Sequence, residues 1–177
     1  VATVRLDWSA VDPSIFGTLF ERGLDPAKRS QLGAHFTGKE DIRTLVDAVV
    51  MTPLRREWDE TRQTVTNLLT TGKKSVPPGG ASATLTPAQA KKAGMESSSL
   101  IHAFLTRLQN VKVLDPACGS GNFLYVSLQA LKDLEKEAIV FSMDNGLGSF
   151  IPLVGPWQLY GIEINPYAHD LAQMTVW

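Results

Sequence analysis

The chain has 177 residues and a mass of 19.3 kDa with 44% hydrophobic residues, enough for one core with an appended helical region. Seventeen basic residues against eighteen acidic ones leave a net charge of −1 and a pI near 6.3, so bulk charge gives no support for nucleic-acid binding. The single cysteine, Cys118, excludes an internal disulfide and fits a reducing cytoplasm, no run is apolar enough for a membrane helix, and the N-terminus lacks the basic-then-apolar form of a secretory signal.

The first third reads as helical, punctuated by Pro13, Pro26 and Pro53. In GAHFTGKEDI, Gly33 to Ile42, Thr37 and Glu40 are spaced as a capping box ahead of the apolar positions Ile42, Leu45, Val46 and Val49. His35 reads as a polar turn residue rather than a ligand or base. Thr52-Pro53 has the form of an N-cap with proline at the first helical position, opening a helix through Trp58 to about Leu69. Arg55-Arg56 and Lys73-Lys74 are basic pairs of the kind that mark a solvated helix face or a loop. Residues 1–70 are therefore assigned to an N-terminal helical region.

Residues 71–99 read as a flexible linker or insertion, because TGKKSVPPGGASAT is turn-rich and nearly devoid of large apolar side chains. Thr86-Pro87-Ala88-Gln89 can begin a short helix inside it, with Gln89 at the capping-box position. A second helix is expected to start at Ser98 or Ser99, with Leu100, Ile101, Phe104, Leu105 and Leu108 on its apolar side.

VKVLDPACGSGNFL, Val111 to Leu124, is the most informative stretch. Val111, Val113 and Leu114 suit a buried parallel strand, Asp115 ends it, and Gly119 and Gly121 permit positive φ and close backbone approach to a ligand. Asn122 is placed to cap the helix that follows. That helix carries an apolar stripe of Phe123, Leu124, Val126, Leu128, Leu131 and Leu134 and is expected to end in the charged run DLEKEA. Ser142 to Pro156, rich in Gly and Pro, reads as a loop.

QLYGIEINPYAHDLA, Gln158 to Ala172, reads as the second strand and helix, with Pro166 in the first turn. In doubly wound folds an acid at the end of this strand takes the ribose hydroxyls of a nucleotide, a place that Glu163 fits. It lies 48 positions beyond Asp115 (163 minus 115), where a dinucleotide fold places the acid about 20 on. Leu124 also stands where the third glycine of Gly-x-Gly-x-x-Gly belongs, and both departures disfavour a nicotinamide-binding domain.

The string LDPACGSGNFL resembles the S-adenosylmethionine-binding motif of class I methyltransferases, in the form typical of DNA adenine-N6 methylases. Phe36-Thr37 resembles the motif that precedes the glycine turn in the gamma-ordered members. Asp7 to Thr37, LRREWD and GIEINPYAHDLA together look like the methylase core of the MmeI-like single-chain restriction-modification enzymes and their free-standing relatives. The resemblance covers nearly all the chain except 71–99 and 142–156. It implies an α/β, Rossmann-like class I methyltransferase fold, represented here by the first strands of its parallel sheet behind an N-terminal helical region, with 100–177 as the first part of the cofactor domain.

On this resemblance the cofactor is S-adenosyl-L-methionine, and the partner is DNA, met mostly through regions outside this segment. Phe36 and Thr37 flank the methionine end, Asp115 meets the amino group directly or through water, Gly119 and Gly121 make room, and Glu163 holds the ribose. Pro116, Ala117, Cys118, Asn122, Phe123 and Ile164 complete the expected cofactor-binding set, and no metal is implied.

Asn165-Pro166-Tyr167 looks like the family's Asn-Pro-Pro-Tyr catalytic signature but has one proline too few and directly follows the ribose acid. Asn165 is therefore read as a helix start, the catalytic asparagine is expected downstream of Trp177, and the segment alone is expected to be inactive. Two other readings share the cofactor fold: a methyltransferase for protein or RNA, and a module that keeps the pocket without catalysis.

Overall fold

The computed structural model describes residue 15 and residues 37–70 and 86–177. Phe36, His35, Lys73-Lys74 and most of the 71–99 stretch lie outside the described residues. Helix α1 spans Lys39–Val46 and passes through a π-helical turn, Asp47–Met51, into α2, Thr52–Thr70. Helix α3 spans Pro87–Gln109, strand β1 Val113–Asp115, helix α4 Asn122–Asp144, strand β2 Leu159–Gly161 and helix α5 Pro166–Val176. The architecture is mostly helical with a small parallel sheet, in which Val113 pairs with Leu159, Leu114 with Tyr160 and Asp115 with Gly161. β1, α4 and β2 thus form a βαβ unit, the connection that parallel neighbours require.

Several local expectations shift. The first bond of α1 runs from Ile42 N–H to the Gly38 carbonyl at 3.0 Å, so the helix opens at Gly38, one residue after the capping box expected on Thr37. Ile42 and Val46 are buried, whereas Leu45 and Val49 are 52% and 72% exposed. The helix expected from Thr52-Pro53 through Trp58 to about Leu69 forms as α2, but it follows the π-helical turn without a break, so Thr52 is its first residue and not a free N-cap. The Thr52 hydroxyl donates back to the Asp47 carbonyl at 2.7 Å, and the wide π-helical turn leads into Pro53, which has no N–H to give to an α-helical ladder.

α3 starts on the Thr86/Gln89 capping box, the Gln89 N–H donating to Thr86 Oγ1 at 3.3 Å and the Thr86 N–H to Gln89 Oε1 at 3.0 Å. It then continues through Ser98 and Ser99, and the second start does not occur. Ser97 is buried on the side that carries Ile101, Phe104, Leu105 and Leu108, so the apolar stripe begins before the serines end. α4 likewise runs through DLEKEA. Leu134, Ala138, Ile139 and Ser142 prolong its buried stripe, and Glu135, Lys136 and Glu137 are good helix formers.

Two compact units divide the chain. One comprises the described parts of 1–46, then 112–128 and 159–177. Its buried cluster is Cys118, Leu124 and Ala172, packed by Val113, Leu159 and Val176. Among the described residues only one face of its two-stranded sheet is covered in this way. Leu114, read as buried, is 61% exposed beside its register partner Tyr160 at 45%.

The other unit comprises 47–111 and 129–158. Trp58, 1% exposed, stacks on Phe104 at 5.1 Å, meets Phe141 edge-on at 5.5 Å, and donates its indole N–H to Glu137 at 2.8 Å. The buried Glu135 carboxylate accepts the backbone N–H groups of Leu153 and Val154 at 2.7 and 2.9 Å, pinning the loop that follows α4. Gln158 is also buried and fully used. It donates to the carbonyls of Leu108 and Val111 at 3.0 and 2.9 Å and accepts from Gly155 N–H at 3.1 Å. Among the described residues no helix is long and apolar enough to cross a membrane.

Candidate cofactor corner

The corner is built where β1 ends. Asp115 closes the strand, and its Oδ1 accepts the Ala117 N–H at 3.0 Å, turning the chain through Pro116. The turn is laced to the end of β2 by Ile162 N–H donating to the Asp115 carbonyl at 2.9 Å and Cys118 N–H donating to the Ile162 carbonyl at 3.0 Å. Within it, Gly121 N–H donates to the Cys118 carbonyl at 2.8 Å.

Gly119 and Gly121 have φ of 52° and 84°. At Gly121 a Cβ would stand 3.0 to 3.2 Å from backbone and side-chain atoms of Ala172, so glycine there serves both the backbone angle and the approach of α5. At Gly119 a Cβ would meet nothing within 4 Å, which leaves that side of the turn open.

Glu163 stands two residues beyond β2. Its Oε2 accepts the Gly119 N–H at 2.9 Å and its Oε1 accepts the Asn165 N–H at 2.7 Å. The two strand-end carboxylates, Asp115 and Glu163, therefore both hold backbone of the same corner. Cys118 is buried, as expected of a small side chain beside the loop. Its thiol is held above the usual range, chiefly by burial and further by the negative charges of Asp115 and Glu163, which favours the protonated form at neutral pH.

Asn122 does not cap α4. It is the first residue of that helix, is 9% exposed, and its Oδ1 has no hydrogen-bond partner, while the Gly121 carbonyl takes the first helical bond from Tyr125 N–H at 2.9 Å. Asn165 is the genuine cap. Its Oδ1 accepts from Tyr167 N–H at 3.0 Å and Ala168 N–H at 3.2 Å, with Pro166 in the first turn of α5.

The expected site residues are thus partly gathered. Asp115, Pro116, Ala117, Cys118, Gly119, Gly121 and Asn122 form one continuous turn, and Glu163 joins it by hydrogen bond. Phe123 is half-buried on α4 and Ile164 is 90% exposed beyond Glu163. Thr37 is half-buried just ahead of α1, with no hydrogen bond among the described residues tying it to the turn.

Two residues were missed. Gly161, in β2, admits Cys118 Sγ, which would stand 2.7 Å from an added Cβ, and Ala172 receives Gly121. A glycine inside a strand is itself a sign of close approach, so Gly161 was readable; Ala172 carried no such sign.

A family model for the DNA-methyltransferase domain of MmeI matches residues 89–177. DNA methyltransferase A of Bacillus subtilis (strain 168) is 28% identical over 174 residues, covering 97% of this chain and 16% of its own length. A putative type II restriction enzyme and methyltransferase of Methanocaldococcus jannaschii is 31% identical over 84 residues, 46% of this chain and 7% of that protein. Among solved structures, the type IIL restriction-modification enzyme MmeI in complex with DNA superposes with a TM-score of 0.69 at 27% identity, over 97% of this chain and 19% of that one. The chain therefore spans less than a fifth of the length of these relatives. With its family model covering half the sequence and the likeness in structure extending over nearly all of it, the chain belongs to the MmeI-type DNA-methyltransferase domain family.

Proposed function

We propose that this chain is the S-adenosylmethionine-binding part of a site-specific DNA methyltransferase that modifies adenine N6 within a restriction-modification system. The observation that carries the reading is the pair of strand-end carboxylates, Asp115 and Glu163, on either side of a glycine turn that is open at Gly119. The βαβ arrangement supports a Rossmann-like class I methyltransferase fold, of which residues 100–177 would be the first part.

The residues present fit the cofactor. Carboxylates suit its amino group and ribose hydroxyls, and the buried, unpartnered Asn122 Oδ1 beside the turn is an acceptor in want of a donor. Asp115 would accept from the amino group directly or through water, Glu163 from the ribose hydroxyls, and the backbone at Gly119 and Gly121 would allow close approach. Thr37 and Phe36 would flank the methionine end, and Pro116, Ala117, Cys118, Phe123 and Ile164 would line the remainder. When bound, the cofactor supplies an electrophilic methyl group.

DNA is the proposed partner, and the target adenine has to leave the duplex stack, because its amino group is otherwise paired. The Asn165 side-chain oxygen already accepts from two helix N–H groups, so it is not offered to a target amine, and this segment alone is expected to transfer no methyl group. The family's DNA-modifying relatives and the single buried cysteine favour the cytoplasm.

Calorimetric titration with S-adenosylhomocysteine, with NADH as the control, tests the assignment. Saturable binding of the former alone is expected, and Asp115→Ala should weaken it about tenfold without unfolding the chain. Binding of NADH, or unchanged affinity in Asp115→Ala, would overturn the site.

A further inference from the structure

We infer that Glu163 is a positioning residue for the glycine turn, in addition to its ribose contact, the inference resting on the reading of this corner as a cofactor site. Its carboxylate ties together two backbone donors far apart in sequence: Gly119 N–H on Oε2 at 2.9 Å and Asn165 N–H on Oε1 at 2.7 Å. Gly119 sits at a positive φ, and a Cβ there would meet nothing within 4 Å, so no neighbour on that side holds it. The Glu163 bond is what fixes its N–H, and the same side chain braces the residue that caps α5.

Acceptor counting shows that both roles fit on one group. An ionised carboxylate offers about four lone-pair positions, and the two backbone bonds leave about two, as many as the two hydroxyls of a ribose require. The turn is consequently set before any ligand arrives, which lowers the ordering cost of binding. Glutamine in place of Glu163 keeps the size but replaces one acceptor oxygen with an NH2 donor. Whichever way the amide lies, one of the two backbone N–H groups then faces another donor.

Two measurements test this on the 177-residue chain. The first is amide hydrogen exchange at Gly119. Protection is expected in the unsubstituted chain, with exchange at least about tenfold faster in Glu163→Gln while the amides of Phe104 and Leu105 in α3 hold their rates. A Gly119 amide exchanging at the free-peptide rate in the unsubstituted chain overturns the inference and needs no variant.

The second compares S-adenosylhomocysteine with an analogue lacking both ribose hydroxyls. If Glu163 positions the turn, Glu163→Gln still weakens binding of the analogue several-fold. If the analogue binds the variant as well as it binds the unsubstituted chain, Glu163 acts through the hydroxyls alone and the positioning role is lost. Failure of the unsubstituted chain to bind either ligand would instead sink the cofactor reading, and Gly119 exchange would then decide the brace by itself.

Discussion

Around Cys118 the buried cluster is three modest side chains, Cys118, Leu124 and Ala172, whereas around Trp58 an indole is packed by Phe104 and Phe141 and hydrogen-bonded to Glu137. Order at the first place comes from backbone and carboxylate bonds at fixed distances; at the second it comes from apolar area and close packing. The contrast suits their duties. A ligand corner has to keep polar groups and space available, and a small core there holds geometry with little stability to spare, while the helical unit can bury large side chains without regard to a ligand.

Four substitutions would break or sharpen that contrast. Trp58→Ala should have the largest effect, a loss of about 3–5 kcal/mol in denaturant unfolding, because it removes the largest fully buried side chain among the described residues and leaves a cavity. A loss below 1 kcal/mol would mean the helical unit does not depend on this packing. Glu135→Ala should come next, at about 2–3 kcal/mol, since two backbone N–H groups lose their acceptor. Its signature is faster amide exchange at Leu153 and Val154 with the Gly119 amide unaffected.

In the corner, Gly161→Ala should cost about 1–2 kcal/mol, from the 2.7 Å approach of the new methyl to Cys118 Sγ. Part of the cost should return in the Gly161→Ala/Cys118→Ala pair, where the sulfur is gone; strict additivity would show that the clash is relieved elsewhere. The smallest effect belongs to Thr86→Ala, about 1 kcal/mol from loss of the α3 capping box, read as a shift in the melting midpoint.

Where backbone chemistry alone decides, the sequence was legible. The Gly-Ser-Gly turn after an acid, the Thr86/Gln89 box and the Asn165-Pro166 cap all lie where their residue types require them. The errors have a common origin in tertiary context. Ser98-Ser99 and DLEKEA are equally compatible with a helix boundary and with a helix face, and only the burial of Ser97, Leu134 and Ala138 decides for continuity. Leu114 looked buried because an apolar strand residue says nothing about how many faces of its sheet are covered. Glu135 gave no signal at all, because its partners are backbone groups of a loop 18 and 19 residues further on. In the candidate site the acids and glycines were readable from spacing, whereas the bond between Glu163 and Gly119 and the seat that Ala172 gives Gly121 depend on how β2 and α5 come back to the turn.

The uncovered face of the sheet bears on handling the protein in solution. Leu114 and Tyr160 lie side by side on it, and the Lys112 ammonium stands 5.7 Å from the centre of the Tyr160 ring. A second apolar surface packing on the Tyr160 ring would have to strip water from that cation, which disfavours such contacts at this place. Acylation of surface amines would neutralise that charge, and a faster rise in light scattering from the acylated chain is the expected outcome.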